Sequence, residues 1–125
     1  MTTTLFNTIP DQDYFEIYKD KKPYNRIVKL FDFEQDDIVL ATGVPKSSVR
    51  YDEKMPKDLS ERLTEWATLL NLVAGHFKGD TVKTMQWFTT PNPLLGDIRP
   101  RDMIRIGRYR KLIKFVLNAL AENKR

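Results

Sequence analysis

The sequence predicts an all-α fold, a small helical protein in which an N-terminal helix-turn-helix-like unit packs on a C-terminal helical domain. Three observations point there. Apolar residues recur with a helical period over Leu59–Phe77 and again over Tyr109–Leu120. Prolines and glycines fall at the ends of the periodic segments, at Pro23, Gly43, Pro91, Pro100 and Gly107. The pattern changes at Pro23 from an arm without sustained periodicity, 1–24, to helix, with a helix-turn-helix-like unit expected at 25–78 and a C-terminal unit at 79–125.

The arm mixes polar residues with Phe6, Tyr14, Phe15 and Tyr18. The last three share a helical spacing, so the arm either docks on the body as one short helix or serves as a partner-binding or dimer-exchange segment. From Pro23 a helix is expected with Ile27, Val28, Leu30 and Phe31 on its apolar face, broken at Asp32-Phe33. A second helix should run from Glu34 to Thr42, with Glu34, Asp36 and Asp37 in its first turn, where the helix dipole favours negative charge. Gly43 stops it, and Val44–Tyr51 reads as a short third helix held by Val44 and Val49. Helix, tight turn and short polar helix form the order of a DNA-binding helix-turn-helix. Lys46, Ser47, Ser48 and Arg50 are the side chains suited to phosphates or base edges, although Asp52 and Glu53 follow at once.

The longest helix carries Leu59, Leu63, Trp66, Ala67, Leu70, Val73, Ala74 and Phe77 on one stripe, with Leu69 and Leu72 off it. Apolar residues on two sides mean that it is sandwiched within the chain or also supplies an oligomer interface. Gly75 and Gly79 loosen its end, and Asp80 caps a helix bearing Val82, Met85, Trp87 and Phe88, so that the two tryptophans are expected in one core.

Pro91 and Pro93 must end that helix, because neither donates a backbone hydrogen bond and each pushes the preceding residue out of helical geometry. The turn is expected to fold back and bury Leu94 and Leu95, with Gly96 supplying a positive φ. Pro100 and Asp102 suit the first turn of a short helix that Gly107 ends. The last helix buries Tyr109, Leu112, Ile113, Val116, Leu117 and Leu120, while Arg108, Lys111, Phe115, Ala119 and Glu122 line another side. Phe115 is therefore read as an aromatic set among charges, either an interface hot spot or a seat for the arm.

At 125 residues the chain buries an ordinary core without staples. It has no cysteine, which excludes disulfide scaffolds, thiol catalysis and cysteine zinc sites and is compatible with a reducing compartment. With no secretory pattern and no apolar run of membrane-spanning length, a cytoplasmic protein with no membrane partner is expected. The net charge of +4 hides an asymmetry: nine Lys or Arg against Asp102 and Glu122 give Arg99–Arg125 a local +7, leaving −3 for the remainder. That charge is either the solvated face of a last helix or a surface for nucleic acid or an acidic protein. His76 is the single histidine, with no co-ligand or nucleophile partner in the pattern. No metal, no cofactor and no enzymatic activity are therefore expected.

Trp87-Phe88-x-Thr90-Pro91-Asn92-Pro93-x-Leu95-Gly96, then Arg99-Pro100-x-Asp102-Met103-Ile104 and Gly107-Arg108-Tyr109, resembles the C-terminal toxin-binding domain of the Xre/MbcA/ParS-type antitoxins. The resemblance extends over Arg26–Glu122, with an Xre-like unit preceding the toxin-binding one. It implies a bacterial antitoxin of a type II toxin-antitoxin system, which binds and neutralises a RES-domain toxin that consumes NAD⁺ or uses it to modify proteins. Homodimers, hetero-oligomers with the toxin and contact with promoter DNA are further implied partners. Carried over residue by residue, Trp87, Pro91, Asn92, Pro93, Leu95, Gly96, Arg99, Pro100 and Asp102 build the domain. Arg108, Lys111 and Phe115, with Asn123, Lys124 and Arg125 at the C-terminal end, are the candidates that meet the toxin. The chain has Asp97 where the family commonly has a second glycine, and Asp is among the residues that tolerate a left-handed backbone. The competing reading is a helix-turn-helix transcriptional regulator acting without a toxin, through Lys46, Ser48 and Arg50.

Overall fold

A computed structural model of the chain describes residues 13–19 and 23–123, and among them the regular structure is helical. Six α-helices follow in order: α1 (Pro23–Leu30), α2 (Gln35–Thr42), α3 (Lys57–His76), α4 (Thr81–Thr89), α5 (Pro100–Arg105) and α6 (Tyr109–Asn123). α3 packs against α1, α2, α4 and α6, and α5 against α2, α4 and α6. No helix among the described residues is long and apolar enough to cross a membrane.

Local chemistry sets most boundaries. Asp32 adopts a left-handed φ of 56° and ends α1, after which the Asp37 carboxylate accepts the Glu34 N–H at 2.9 Å to cap the start of α2. Gly43 closes α2 at φ 75°, its N–H donating to Val39 O at 2.9 Å. Asp80 caps α4, its side chain accepting the Lys83 N–H at 3.0 Å.

One apolar cluster runs from Phe15 to Val116 and draws on α1, α2, α3, α4, α5 and α6. Its aromatic part is a series. Trp66 meets Phe31 at 6.3 Å, Phe31 meets Phe88 at 5.3 Å, and Phe88 meets Trp87 at 5.0 Å. The two tryptophans therefore share a core through Phe31 and Phe88, with Trp66 fully buried and Trp87 half-buried at the edge. Leu69, off the main stripe of α3, is fully buried, so the helix is sandwiched and Leu69 is no part of an oligomer interface.

Three expectations need correction. Residues 13–19 dock on the body as consecutive turns and not as a helix: Phe15 and Ile17 are buried, while Tyr18 points to solvent. A left-handed Glu16, φ 54°, breaks the helical spacing that Tyr14, Phe15 and Tyr18 imply. Val44–Tyr51 contains a single 3₁₀ turn, Lys46–Ser48, because Pro45 and Val49 are extended on either side. Asp52 reinforces the extended course by binding Arg50 and the Lys54 N–H. Val82 on α4 is exposed, and buried Thr84 takes the inward place, its hydroxyl donating to Asp80 O at 2.8 Å.

The docking of 13–19 has an identifiable seat. Asn71, a buried polar residue of α3, accepts the Tyr14 N–H at 2.9 Å and donates to the Asp13 carboxylate at 3.3 Å. The Tyr14 ring lies over Gly79, where an added Cβ would stand 3.1 Å from it on a backbone with φ 85°. Gly79→Ala is expected to cost about 1–2 kcal/mol, read as a lower urea midpoint, since it meets both the left-handed penalty and the ring.

Candidate functional site

The turn between α4 and α5 is built around Asn92. The hydroxyls of Thr89 and Thr90 donate to Met85 O at 2.7 Å and Gln86 O at 2.6 Å, satisfying carbonyls at the end of α4. Pro91 then forbids continuation. Asn92 donates its N–H to Ile98 O at 3.1 Å, and its own carbonyl accepts the N–H groups of Leu95 and Asp97, each at 2.9 Å. Its side-chain oxygen accepts the Leu94 N–H at 2.9 Å. Backbone and side chain of one residue thus fix a 3₁₀ turn, Pro93–Leu95, closed by an antiparallel Asn92–Ile98 bridge.

Gly96 and Asp97 leave that turn with φ 75° and 63°. Asp97 does occupy the left-handed position expected of it. A glycine there removes about 1 kcal/mol of backbone strain, so Asp97→Gly is expected to raise the melting temperature by a few degrees and Asp97→Val to lower it.

Burial of both leucines is the expectation the structure overturns. Leu95 is half-buried against the core, whereas Leu94 is 79% exposed. Successive residues of a 3₁₀ turn point about 120° apart. Once Leu95 faces inward, Leu94 must face out.

Pro100 starts α5 at its first helical position, and Asp102 in the same turn collects arginines. Its carboxylate accepts Arg99 Nε at 2.7 Å and Arg105 Nε at 3.2 Å, with Arg101 Nη1 at 3.5 Å. Burial alone would raise the Asp102 carboxyl, but the hydrogen bonds from Arg99 and Arg105 and the adjacent arginine charges outweigh it and hold the group below the usual range. A depressed folded value adds stability above the unfolded carboxyl range near pH 4, and that stability is lost as the pH falls below it. Asp102→Asn is therefore expected to flatten the acid limb of a melting-temperature profile.

Arg101, which the sequence pattern passed over, joins the two halves of the chain. Its Nε donates to Phe31 O at 2.9 Å and its Nη2 to Asp32 O at 3.3 Å, while the guanidinium lies 5.2 Å from the Phe33 ring centroid. Tyr109, the first residue of α6, is buried, and its hydroxyl donates to Glu65 O of α3 at 2.9 Å. Burial, the nearby Glu65 and that donated bond keep the phenol protonated, with its pKa pushed well up.

Beside the turn, the end of α3, the edge of α4 and one side of α6 enclose an apolar cleft of about 290 Å³. Val73, His76 and Phe77 come from α3 and its cap, Trp87 from α4, Asn92 and Leu94 from the turn, and Phe115, Val116, Ala119 and Leu120 from α6. Phe115 is thus not an aromatic isolated among charges. It is half-buried against the core and lines the cleft with His76, Phe77 and Trp87, while residues 13–19 of the arm are not among the cleft-lining residues. Leu94 stands at the lip.

The cations divide into two groups. Arg99, Arg101 and Arg105 are held by Asp102, with Asp37 4.0 Å from Arg105. Arg108, Lys111 and Lys114 are exposed, and among the described residues none has a carboxylate within ion-pair distance. Lys111 precedes Phe115 by one helical turn, on the same side of α6. Asn123 ends α6, and the expectation for its side chain lies outside the described residues together with Lys124 and Arg125.

The candidate DNA-contacting residues are on the connection between α2 and α3, and none of them lines the cleft. Lys46 pairs with Asp36 at 3.1 Å, Arg50 binds Asp52 through Nε at 2.7 Å, Ser47 is exposed and Ser48 is half-buried. Contact with phosphates through Lys46 or Arg50 would have to break these pairs. No family model, curated protein or solved structure matches the chain.

The exposed leucine had a legible cause in the spacing of a 3₁₀ turn. Arg101 had none, because its acceptor at Phe31 is 70 residues away.

Proposed function

We propose that the protein is a non-catalytic inhibitor of the antitoxin class, which captures a RES-domain toxin with the surface formed by the Asn92 turn, the cleft and α6. The observation that carries this reading is Leu94: a large apolar side chain, 79% exposed, on a turn held rigid by three hydrogen bonds to Asn92 and set at the lip of an apolar cleft. Exposed aliphatic side chains on pre-organised backbone lose little entropy on binding and are costly to leave in water. The choice of partner rests on the likeness of Trp87–Tyr109 to the toxin-binding domain. Arg108 and Lys111, exposed on the α6 stripe that carries Phe115 and without an ion-pair partner among the described residues, give the surface a sign as well as a shape.

The test is co-expression with the product of the adjacent reading frame, which this reading expects to be a RES-domain toxin. Growth should be restored and the two chains should co-purify. Continued toxicity with the protein soluble and folded would remove this reading.

A further inference from the structure

We propose that the cleft is the receptor for a single large apolar side chain, Phe or Leu, carried on an acidic segment of the partner. This inference rests on the reading of the protein as a partner-binding inhibitor and adds the chemistry of what is bound. An apolar cavity of about 150 Å³ holds a benzene-sized group. A cleft of about 290 Å³ with Phe77, Trp87 and Phe115 in its walls therefore accepts one such side chain with space left for the atoms that carry it.

The charge around the cleft selects the rest of the segment. Arg108 and Lys111 continue the α6 stripe that carries Phe115 and Ala119. On the far bank, Lys83 borders a second groove on the other side of Trp87. Arg108, Lys111 and Lys83 are exposed and have no ion-pair partner among the described residues. Along the end of α3, α4, the Asn92 turn and α6, the acids are Asp80, Asp97 and Glu122, against Lys78, Lys83, Arg108, Arg110, Lys111 and Lys114. The local excess is positive, so carboxylates flanking the anchor are attracted and cations repelled. A second copy of this chain is disfavoured as occupant, since it brings the same unpaired cations to the same place.

Three short fluorescently labelled synthetic peptides test the assignment on the full chain. The first has one Phe among Glu and Ala, the second replaces Phe with Ser, and the third replaces each Glu with Lys. The first should bind saturably by anisotropy, and the other two should bind about tenfold more weakly or worse. Ala119→Phe, which fills the cleft from α6, and Lys111→Glu, a surface change that leaves packing intact, should each weaken the first peptide by about tenfold. Absence of saturable binding, equal binding of the Lys peptide, or indifference to both substitutions would overturn the proposal. The two readings fail separately. A RES-domain toxin complex that survives both Ala119→Phe and Lys111→Glu defeats the cleft assignment alone. Peptide selectivity without any toxin complex defeats the antitoxin reading alone.

Discussion

Arg101→Ala is expected to destabilise the protein by about 2–3 kcal/mol, measured as a drop in the urea midpoint at unchanged slope. The side chain is only 13% exposed, and it donates to two backbone carbonyls in the break between α1 and α2 while lying over Phe33. Truncation leaves the Phe31 carbonyl without that donor beside a buried aromatic pair, Phe31 and Phe33, stacked at 5.3 Å. Arg101→Lys should recover little, because an ammonium cannot bridge both carbonyls and present a flat face to the ring at once. Lys111→Ala is the control: exposed and without an ion-pair partner among the described residues, it should change stability by no more than about 0.5 kcal/mol. If Arg101→Ala behaved like Lys111→Ala, the guanidinium would be a bystander and the coupling between the two halves would rest on the apolar core alone.

The second large effect falls on binding and leaves the fold intact. Leu94→Asp should shift stability by no more than about 0.5 kcal/mol, since the side chain is exposed and the turn is held by backbone groups and Asn92. On a captured partner it should cost about a hundredfold in affinity or more, because a charge replaces an apolar contact at the centre of the surface. Leu95→Asp should do the opposite. That side chain packs on the core, so its loss should appear in the melting temperature first.

The contrast between those neighbouring leucines shows how far the sequence could be read. Proline, glycine and aspartate act on their own φ angles or on N–H groups within a turn, so the starts of α1 and α5, the end of α2 and the cap of α4 were legible without tertiary knowledge. The stripe on α3 was legible too, because a long helix averages over many positions. Leu94 was misread because apolar character states what a side chain gains by burial and not which way a short turn aims it. The arm failed for a related reason. Tyr14, Phe15 and Tyr18 fit a helix, yet the left-handed Glu16 turns Ile17 inward and Tyr18 out. Arg101 lay beyond sequence reasoning altogether, since its partners are backbone carbonyls that become neighbours only when α5 meets the end of α1. On α6 the environment of Phe115 depends on α3 and α4, which turn it from the solvent-facing aromatic expected into a half-buried wall of a cleft.

The Lys46–Asp36 and Arg50–Asp52 pairs and the single 3₁₀ turn also bear on how the charge is used. Lys46 and Arg50 near the N-terminal unit are paired locally, and the arginines of α5 are gathered by Asp102. Arg108, Lys111 and Lys114, which have no ion-pair partner among the described residues, lie on and just before α6, the helix that also supplies four of the ten residues lining the cleft.

The central claim is that a protein partner is held by the Asn92 turn and α6. NAD⁺ consumption by a RES-domain toxin, the proposed partner, titrated with wild-type protein and with Leu94→Asp, tests it most directly. The account predicts that wild type silences the toxin near equimolar ratio and that Leu94→Asp, equally folded, requires a far larger excess. Undiminished NAD⁺ consumption at saturating wild-type protein, or equal inhibition by the two proteins, would contradict it.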